Sequence, residues 1–321
     1  MRKIYLLLFC LLLCNSGIHL FAQSFVYKNE FGFRSDNDSY LAQGSDRYYT
    51  NGLFLTFRHA MDQRKVYGKL NKKIWEIEAG QRMYNAQSGS VPDITYVDRP
   101  FAAYLYVGGS MNWLYTKENT LKVSVQVGTI GPSAKGKAAQ ELLHKTFGFY
   151  EINGWQYQVN NAIGINSSLD YSRFIYRLAN DKVDFSVVSN LNLGTTYSGA
   201  GLGALIRAGS ISQFFHSAIS NSRTSNQYVT KPLAEREFFF FARPVLNFIA
   251  YDATVQGGLF NEDKGPVTYD VKRLVFSKEL GVMYAYKRWT ADFSVMFKSK
   301  EIESPAKKHQ YGSINLYYRF N

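Results

Sequence analysis

Apolar and polar residues alternate along most of this chain. From Leu121, the odd positions Leu121, Val123, Val125 and Val127 are apolar, while Lys122, Ser124, Gln126 and Gly128 are polar or small. A repeat of two is the mark of a strand with unlike faces. Val183, Phe185, Val187, Leu191 and Leu193 repeat it against Asp184, Ser186, Asn190 and Asn192, as do Trp289, Ala291, Phe293, Val295 and Phe297 against Thr290, Asp292, Ser294 and Lys298. The last such segment places Ile314, Leu316, Tyr318 and Phe320 on one face and Ser313, Asn315, Tyr317 and Arg319 on the other, one residue from the end. A closing aromatic strand of this kind resembles the terminal assembly signal of outer-membrane barrels.

The pattern predicts strands near 24–34, 49–60, 72–83, 101–114, 119–130, 159–177, 182–196, 199–211, 237–249, 252–261, 271–287, 288–300 and 307–320. Bacterial single-chain barrels have even strand numbers, so one of the two segments within 237–261 is surplus and about twelve strands are expected. A soluble β-sandwich also alternates, but strands of about ten residues with polar faces favour an all-β transmembrane antiparallel barrel. Two stretches break the pattern. Residues 212–236, rich in Ser, Asn and Thr, read as a long mobile loop. In 133–148, Ser133 as a cap and Ala138, Ala139, Leu142, Leu143 and Phe147 as an apolar stripe predict a short helix in the loop after the fifth strand.

The N-terminus adds a compartment. Arg2 and Lys3, the apolar run Ile4–Leu13 and the small residue Ala22 have the order of a signal peptide, so 1–22 is read as a leader and 23–321 as one barrel domain. A lipoprotein signal at Cys14 is the weaker reading, because Leu13 stands where a small residue is needed. Cleavage near Ala22 removes Cys10 and Cys14, which excludes disulfides, thiol catalysis and cysteine metal sites. An exported chain of this length without disulfides needs a large core or a closed barrel.

No run of about 18 apolar residues follows residue 22, so any membrane crossing is made by strands. Aromatics form 16% of the chain, with 24 Tyr and 24 Phe, in agreement with the aromatic girdles of a lipid-embedded barrel, an aromatic-rich soluble β protein being the alternative. The formal charge of +12 becomes +10 without Arg2 and Lys3. An anionic partner is implied. With no Lys/Arg run interleaved with aromatics, nucleic acid is not expected. Phosphorylated outer-leaflet lipid fits both charge and compartment, and a monomer among outer-membrane lipids is expected.

With a periplasmic N-terminus, the connections after strands one, three and five are extracellular. Asp36-Asn37-Asp38-Ser39 and Asp46-Arg47-Tyr48-Tyr49-Thr50-Asn51-Gly52 fall in or beside the first, Asp98-Arg99-Pro100-Phe101-Ala102 closes the second, and Gln140 and His144 lie on the helix in the third. Spaced by four, Gln140 and His144 project from one helical face. An imidazole is a natural general base toward water. Asn37 and Asp38 offer hard oxygens suited to calcium rather than zinc, and calcium beside an ester carbonyl stabilises developing negative charge. Each feature also has a plain reading: a solvated surface histidine, Asp and Asn in turns that bond their own backbone, girdle tyrosines at Tyr48 and Tyr49, and an ordinary strand hydroxyl at Thr50.

Taken together, Asn37-Asp38, the block Asp46-Arg47 to Gly52, Asp98-Arg99 with Phe101-Ala102, Gly131-Pro132 followed by Gln140 and His144, and Trp155 with Gln158 resemble, in order and spacing, the outer-membrane lipid A 3′-O-deacylases of the LpxR type. The motifs cover roughly residues 25–175. The resemblance implies a twelve-stranded barrel whose site lies between the wall and an extracellular helix. It also implies a calcium-dependent reaction like that of secreted phospholipases A2, on lipid A in the outer leaflet. By position, His144 is the base, and Asn37, Asp38, Thr50 and Gln140 line the site. The family pattern carries a lysine in the second extracellular loop, whereas Ala86–Val97 has none; Arg82 and Arg99 are the candidate substitutes. The competing readings are an outer-membrane phospholipase or other lipid esterase, and a porin-like or structural barrel without chemistry.

Overall fold

The computed structural model describes residues 26–42, 46–226 and 232–321; the leader segment 1–22 and the first residues of the strand expected at 24–34 lie outside them. Twelve antiparallel strands follow in chain order: β1 (Asn29–Asn37), β2 (Tyr49–Ala60), β3 (Leu70–Tyr84), β4 (Ala102–Tyr115), β5 (Thr120–Ile130), β6 (Ala162–Arg177), β7 (Val183–Gly194), β8 (Tyr197–Ser210), β9 (Glu237–Asp252), β10 (Leu274–Tyr286), β11 (Trp289–Lys298) and β12 (His309–Phe320). Each pairs with its neighbours in sequence, and β1 closes on β12 from Asn29↔Phe320 to Asn37↔Gly312, leaving no sheet edge. Helix α1 (Gly136–Phe147) lies between β5 and β6, and a single turn, α2 (Ala253–Gln256), follows β9. Among the described residues no helix is long and apolar enough to cross a membrane.

The surplus strand is 252–261. Asp252 accepts a hydrogen bond at 2.8 Å from the Thr254 N–H and caps α2, turning the chain out of the sheet.

Alternation places apolar side chains on the outside of the wall. Phe33, Leu55, Ile77, Val107, Val125, Ile165, Leu246 and Leu316 are all exposed. The inner face is polar and charged. Arg58 donates to Glu76 and, at 2.7 Å, to Glu30, which also accepts from Arg319 at 2.9 Å; Lys122 reaches Glu76 at 2.7 Å. Removing an ion from water costs several kcal/mol, so these inward charges persist by sharing partners.

Residues 212–236 are not simply a mobile loop. Their described part is folded into the barrel at the end that carries the chain termini, with Phe214, Phe215, Ser217, Ala218 and Ser222 buried. Inward side chains hold it there. Arg207 donates to Ser217 at 2.8 Å, Glu237 accepts from Ser212 N at 3.0 Å and Ala218 N at 2.8 Å, and Lys72 donates to the Ser222 carbonyl at 2.7 Å. Ser and Asn suit this place because they supply donors and acceptors to a polar lumen.

Candidate functional site

The site is built on the outer face of the wall, at the end opposite the termini. Phe33 and Leu55 are an exposed cross-strand pair of β1 and β2. Two steps of two along the same register lead to Ser35↔Leu53 and then Asn37↔Asn51, which therefore share the outward face. The Asn37 amide donates to Asn51 Oδ1 at 2.9 Å, and Asn37 Oδ1 accepts from Ser39 N at 2.7 Å. Met83 in β3 and Ala103 in β4 have the same parity as exposed Ile77 and Val107, yet both are fully buried. They are covered by Ala86, Val91, Val97, Phe101, Ala134 and Trp155, contributed by the loop before β4 and the segments flanking α1.

Gly136 sets how closely α1 approaches, since a Cβ there would fall 2.5 Å from Ala103 Cβ. Gln81 pins the entry to the helix by donating to the Ala134 carbonyl at 2.6 Å. Ser133 does not cap α1; it lies in a separate turn, Pro132–Ala134, and Lys135 occupies the cap position without a side-chain bond. The buried residues of α1 are Gly136, Gln140 and His144, whereas Leu142 and Phe147 of the expected apolar stripe are exposed. Among the stripe residues, Ala139 and Leu143 are partly buried against the Trp155 cluster.

His144 is bound through both ring nitrogens. Nδ1 lies 2.6 Å from the Tyr150 carbonyl, which only accepts, so Nδ1 carries the proton. Nε2 lies 3.2 Å from Asp46 Oδ2. Phe149 and Tyr150 flank the ring edge to face, with centroids 5.5 and 5.0 Å away.

Asp46 is joined to Asp38 through Thr50. The β2–β3 register passes from Tyr49↔Tyr84 to Asn51↔Met83, leaving Thr50 as the extra residue of a bulge. Bulges redirect side chains, and this one brings the Thr50 hydroxyl within 3.1 Å of Asp46 Oδ1 and 3.3 Å of Asp38 Oδ1. One hydroxyl proton thus serves two carboxylates. Asp38 Oδ2 accepts from Arg47 N at 3.0 Å. Burial pushes the Asp38 carboxyl up to about 7, and the charge of Asp46 adds to this against the bonds from Arg47 and Thr50. The backbone from Asp46 to Tyr48 is strained, left-handed at Asp46 (φ 44°) and at Tyr48 (φ 60°), where a bulky side chain rarely goes.

Gln140 Oε1 accepts from Trp155 Nε1 at 2.8 Å, while Gln140 Nε2 is buried without a hydrogen-bond partner among the described residues. The same holds for both amide atoms of Asn85. The two amides meet at Gly89, where a Cβ would lie 3.2 Å from Asn85 Nδ2, 3.2 Å from Gln140 Nε2 and 2.9 Å from Tyr150 Oη. Gly89 N donates to that hydroxyl at 3.2 Å.

The structure therefore gathers His144 and Gln140 on α1, and links Asp38 to Thr50 and both to His144 through Asp46; Asn37 stands beside them, capping the turn at 38–41. Sequence reasoning assigned no role to Asp46, Asn51, Asn85, Gly89 or Tyr150. Asp46 and Asn51 lie within the motif block around Thr50, and Tyr150 follows His144 by six residues. Asn85 and Gly89 carry no local signal. Asp98 and Arg99 have other work. Asp98 accepts from Tyr48 Oη at 2.7 Å, and Arg99 donates to Thr254 at 2.8 Å while lying over the Tyr84 ring. The Arg82 guanidinium sits among the rings of Phe54, Tyr106 and Tyr197. Arg99 is thereby tied to Thr254 and Tyr84, and Arg82 is enclosed by aromatic rings.

The oxygens around Asp38 fit calcium. Two carboxylates share one hydroxyl, and a divalent cation held there would offset the burial and repulsion that raise the Asp38 carboxyl. Among the described residues no three His, Asp or Glu groups form a metal cage, so neutral oxygens would complete the shell.

The family model of the outer membrane protein LpxR matches residues 6–320. Among solved structures, LpxR from Salmonella typhimurium is 20% identical and aligns over 91% of this chain and 100% of its own, with a TM-score of 0.69. The β domain of the Bordetella autotransporter BrkA (10% identity, 91% of this chain and 98% of that one, TM-score 0.45) and the KdgM porin (8%, 91% and 99%, 0.40) align less closely. No curated protein matches the chain. With a match across nearly its whole length and a barrel of the same fold, the chain belongs to the LpxR family of outer-membrane proteins.

Proposed function

We propose that this outer-membrane lipid A deacylase hydrolyses the 3′-linked acyloxyacyl ester of lipid A, with His144 activating water. The observation that carries the reading is the chain Asp46, His144, Tyr150 carbonyl, set between the outer wall and α1. The carbonyl holds the imidazole in the Nδ1–H form, leaving the Nε2 lone pair to take a proton from water. Asp46, beside Nε2 itself rather than beside Nδ1 as in a serine-hydrolase triad, would stabilise the imidazolium that results. The unpartnered N–H groups of Gln140 and Asn85 are donors for a polar oxygen of the substrate, and Trp155 keeps Gln140 turned that way. Asp38, with oxygens of Asn37, Thr50 and Asp46, would hold calcium. When bound, calcium polarises the ester carbonyl.

A porin needs an open lumen, and here the segment from Ser212 to Ser225 is packed into one end of it. The test is mass spectrometry of lipid A from cells expressing the wild type or His144→Ala, with calcium present or chelated. Loss of a 3′-acyloxyacyl unit in the wild type alone, abolished by chelation, supports the reading. Unchanged lipid A beside a correctly inserted wild-type barrel overturns it and directs the assay to phospholipids.

A further inference from the structure

We infer that α1 and the residues following it form a lipid-contacting surface, seated in the outer leaflet by Leu142, Phe147 and Phe149. The register fixes the side of the wall on which α1 lies. Ile77 and Val107 belong to the exposed apolar belt, and Met83 and Ala103, on the same strand faces toward the rim, are buried beneath the α1 region. The helix thus covers wall that would otherwise meet lipid, and it continues the belt upward.

Its buried side mixes the polar Gln140 and His144 with partly buried Ala139 and Leu143. Gln140 and His144 are turned to the wall, while Leu142 (66% exposed) on the far side of the helix, and Phe147 (66%) and Phe149 (55%) at its C-terminal end, are open to the surroundings. Phe147 and Phe149 stack at 6.0 Å, and Phe149 packs on His144 at 5.5 Å, so the apolar patch runs directly into the site. Exposed Lys137 and Lys145 lie on the same helix, Lys137 3.8 Å from Glu141. Apolar side chains beside flexible ammonium groups are the composition of a helix resting at the boundary of acyl chains and phosphate headgroups. The occupant of the patch is accordingly the acyl region of anionic outer-leaflet lipid. At that depth His144 meets ester linkages without the lipid leaving the bilayer. The inference concerns where α1 sits and holds whichever ester is cut.

The experiment is spin-label accessibility in bilayers of phosphorylated, saturated-chain lipid. The full chain carries Cys10→Ser and Cys14→Ser, and one cysteine is introduced in turn by Leu142→Cys, Phe147→Cys, Val125→Cys or Lys308→Cys. Heat-modifiable migration shows that each barrel is folded. Labels at 142 and 147 are expected to meet oxygen in preference to a water-soluble nickel complex, with a ratio near that at 125 on the wall and several-fold above that at 308. Labels at 142 and 147 that behave like the label at 308 overturn the inference. Two label sites keep the result from depending on one substitution, and neither readout requires deacylation.

Discussion

His144 Nε2 and Asp46 Oδ2 lie 3.2 Å apart, although the two residues come from different loops, those after β5 and β1. With Nδ1 bonded to the Tyr150 carbonyl, the Nε2 lone pair faces a carboxylate.

His144→Ala is expected to lower deacylation by roughly 10²- to 10⁴-fold, the usual contribution of a positioned base. Asp46→Asn keeps the size of the side chain and removes the charge, so it should lower kcat while leaving KM nearly unchanged. Initial rates of acyl release from purified lipid A measure both. Wild-type kcat in Asp46→Asn would remove Asp46 from the reaction.

The amide pair at Gly89 separates binding from stability. Asn85 is fully buried with no bond for its amide among the described residues, a state that costs about 1–3 kcal/mol. Asn85→Ala should therefore unfold no more readily than the wild type while losing activity. Gly89→Ala should also lose activity, because its methyl group enters the space between Asn85, Gln140 and Tyr150. Thermal unfolding and turnover measured on the same samples check the opposite directions.

Calcium is expected to raise the unfolding temperature of the wild type by binding the folded state alone, as linkage requires. Asp38→Ala should abolish that rise, and magnesium should produce less of it, since magnesium demands a stricter octahedral shell. A calcium-dependent shift that survives Asp38→Ala would place the ion elsewhere.

The packed segment at the terminal end predicts that the wild-type barrel carries little ion current in a planar bilayer. Replacing 212–235 by a short turn should open conductance, because Phe214, Phe215 and Ala218 leave the lumen. Single-channel recording on barrels shown to be folded by heat-modifiable migration checks it. High conductance in the wild type would restore the pore reading.

The strands were legible because a closed barrel has two chemically distinct faces, and each strand repeats that distinction over nine or more residues. Leu121 to Val127 and Ile314 to Tyr318 could be assigned from their own sequence. Within 237–261 the pattern misled, since a capping Asp252 and one helical turn end β9 where apolar residues continue. For 212–236, composition revealed a connection between strands and nothing about its location. Serine and asparagine suit solvent and a polar lumen equally, and the choice was made by inward side chains of the wall, Arg207 and Glu237 flanking the segment and Lys72 far from it in sequence.

For the site, the sequence alone determined that His144 and Gln140 share a helical face and that Asn37, Asp38 and Thr50 lie at strand ends bordering one loop. Those are local facts, set by a spacing of four and by the alternation of strands. Only the tertiary structure decided that this face turns inward against the wall, that a bulge at Thr50 aims it at two carboxylates, and that Asp46 meets His144. The physical reason is register. Barrel closure fixes which outward positions of β1 to β4 lie beneath α1, and that relation arises between strands rather than within any one of them.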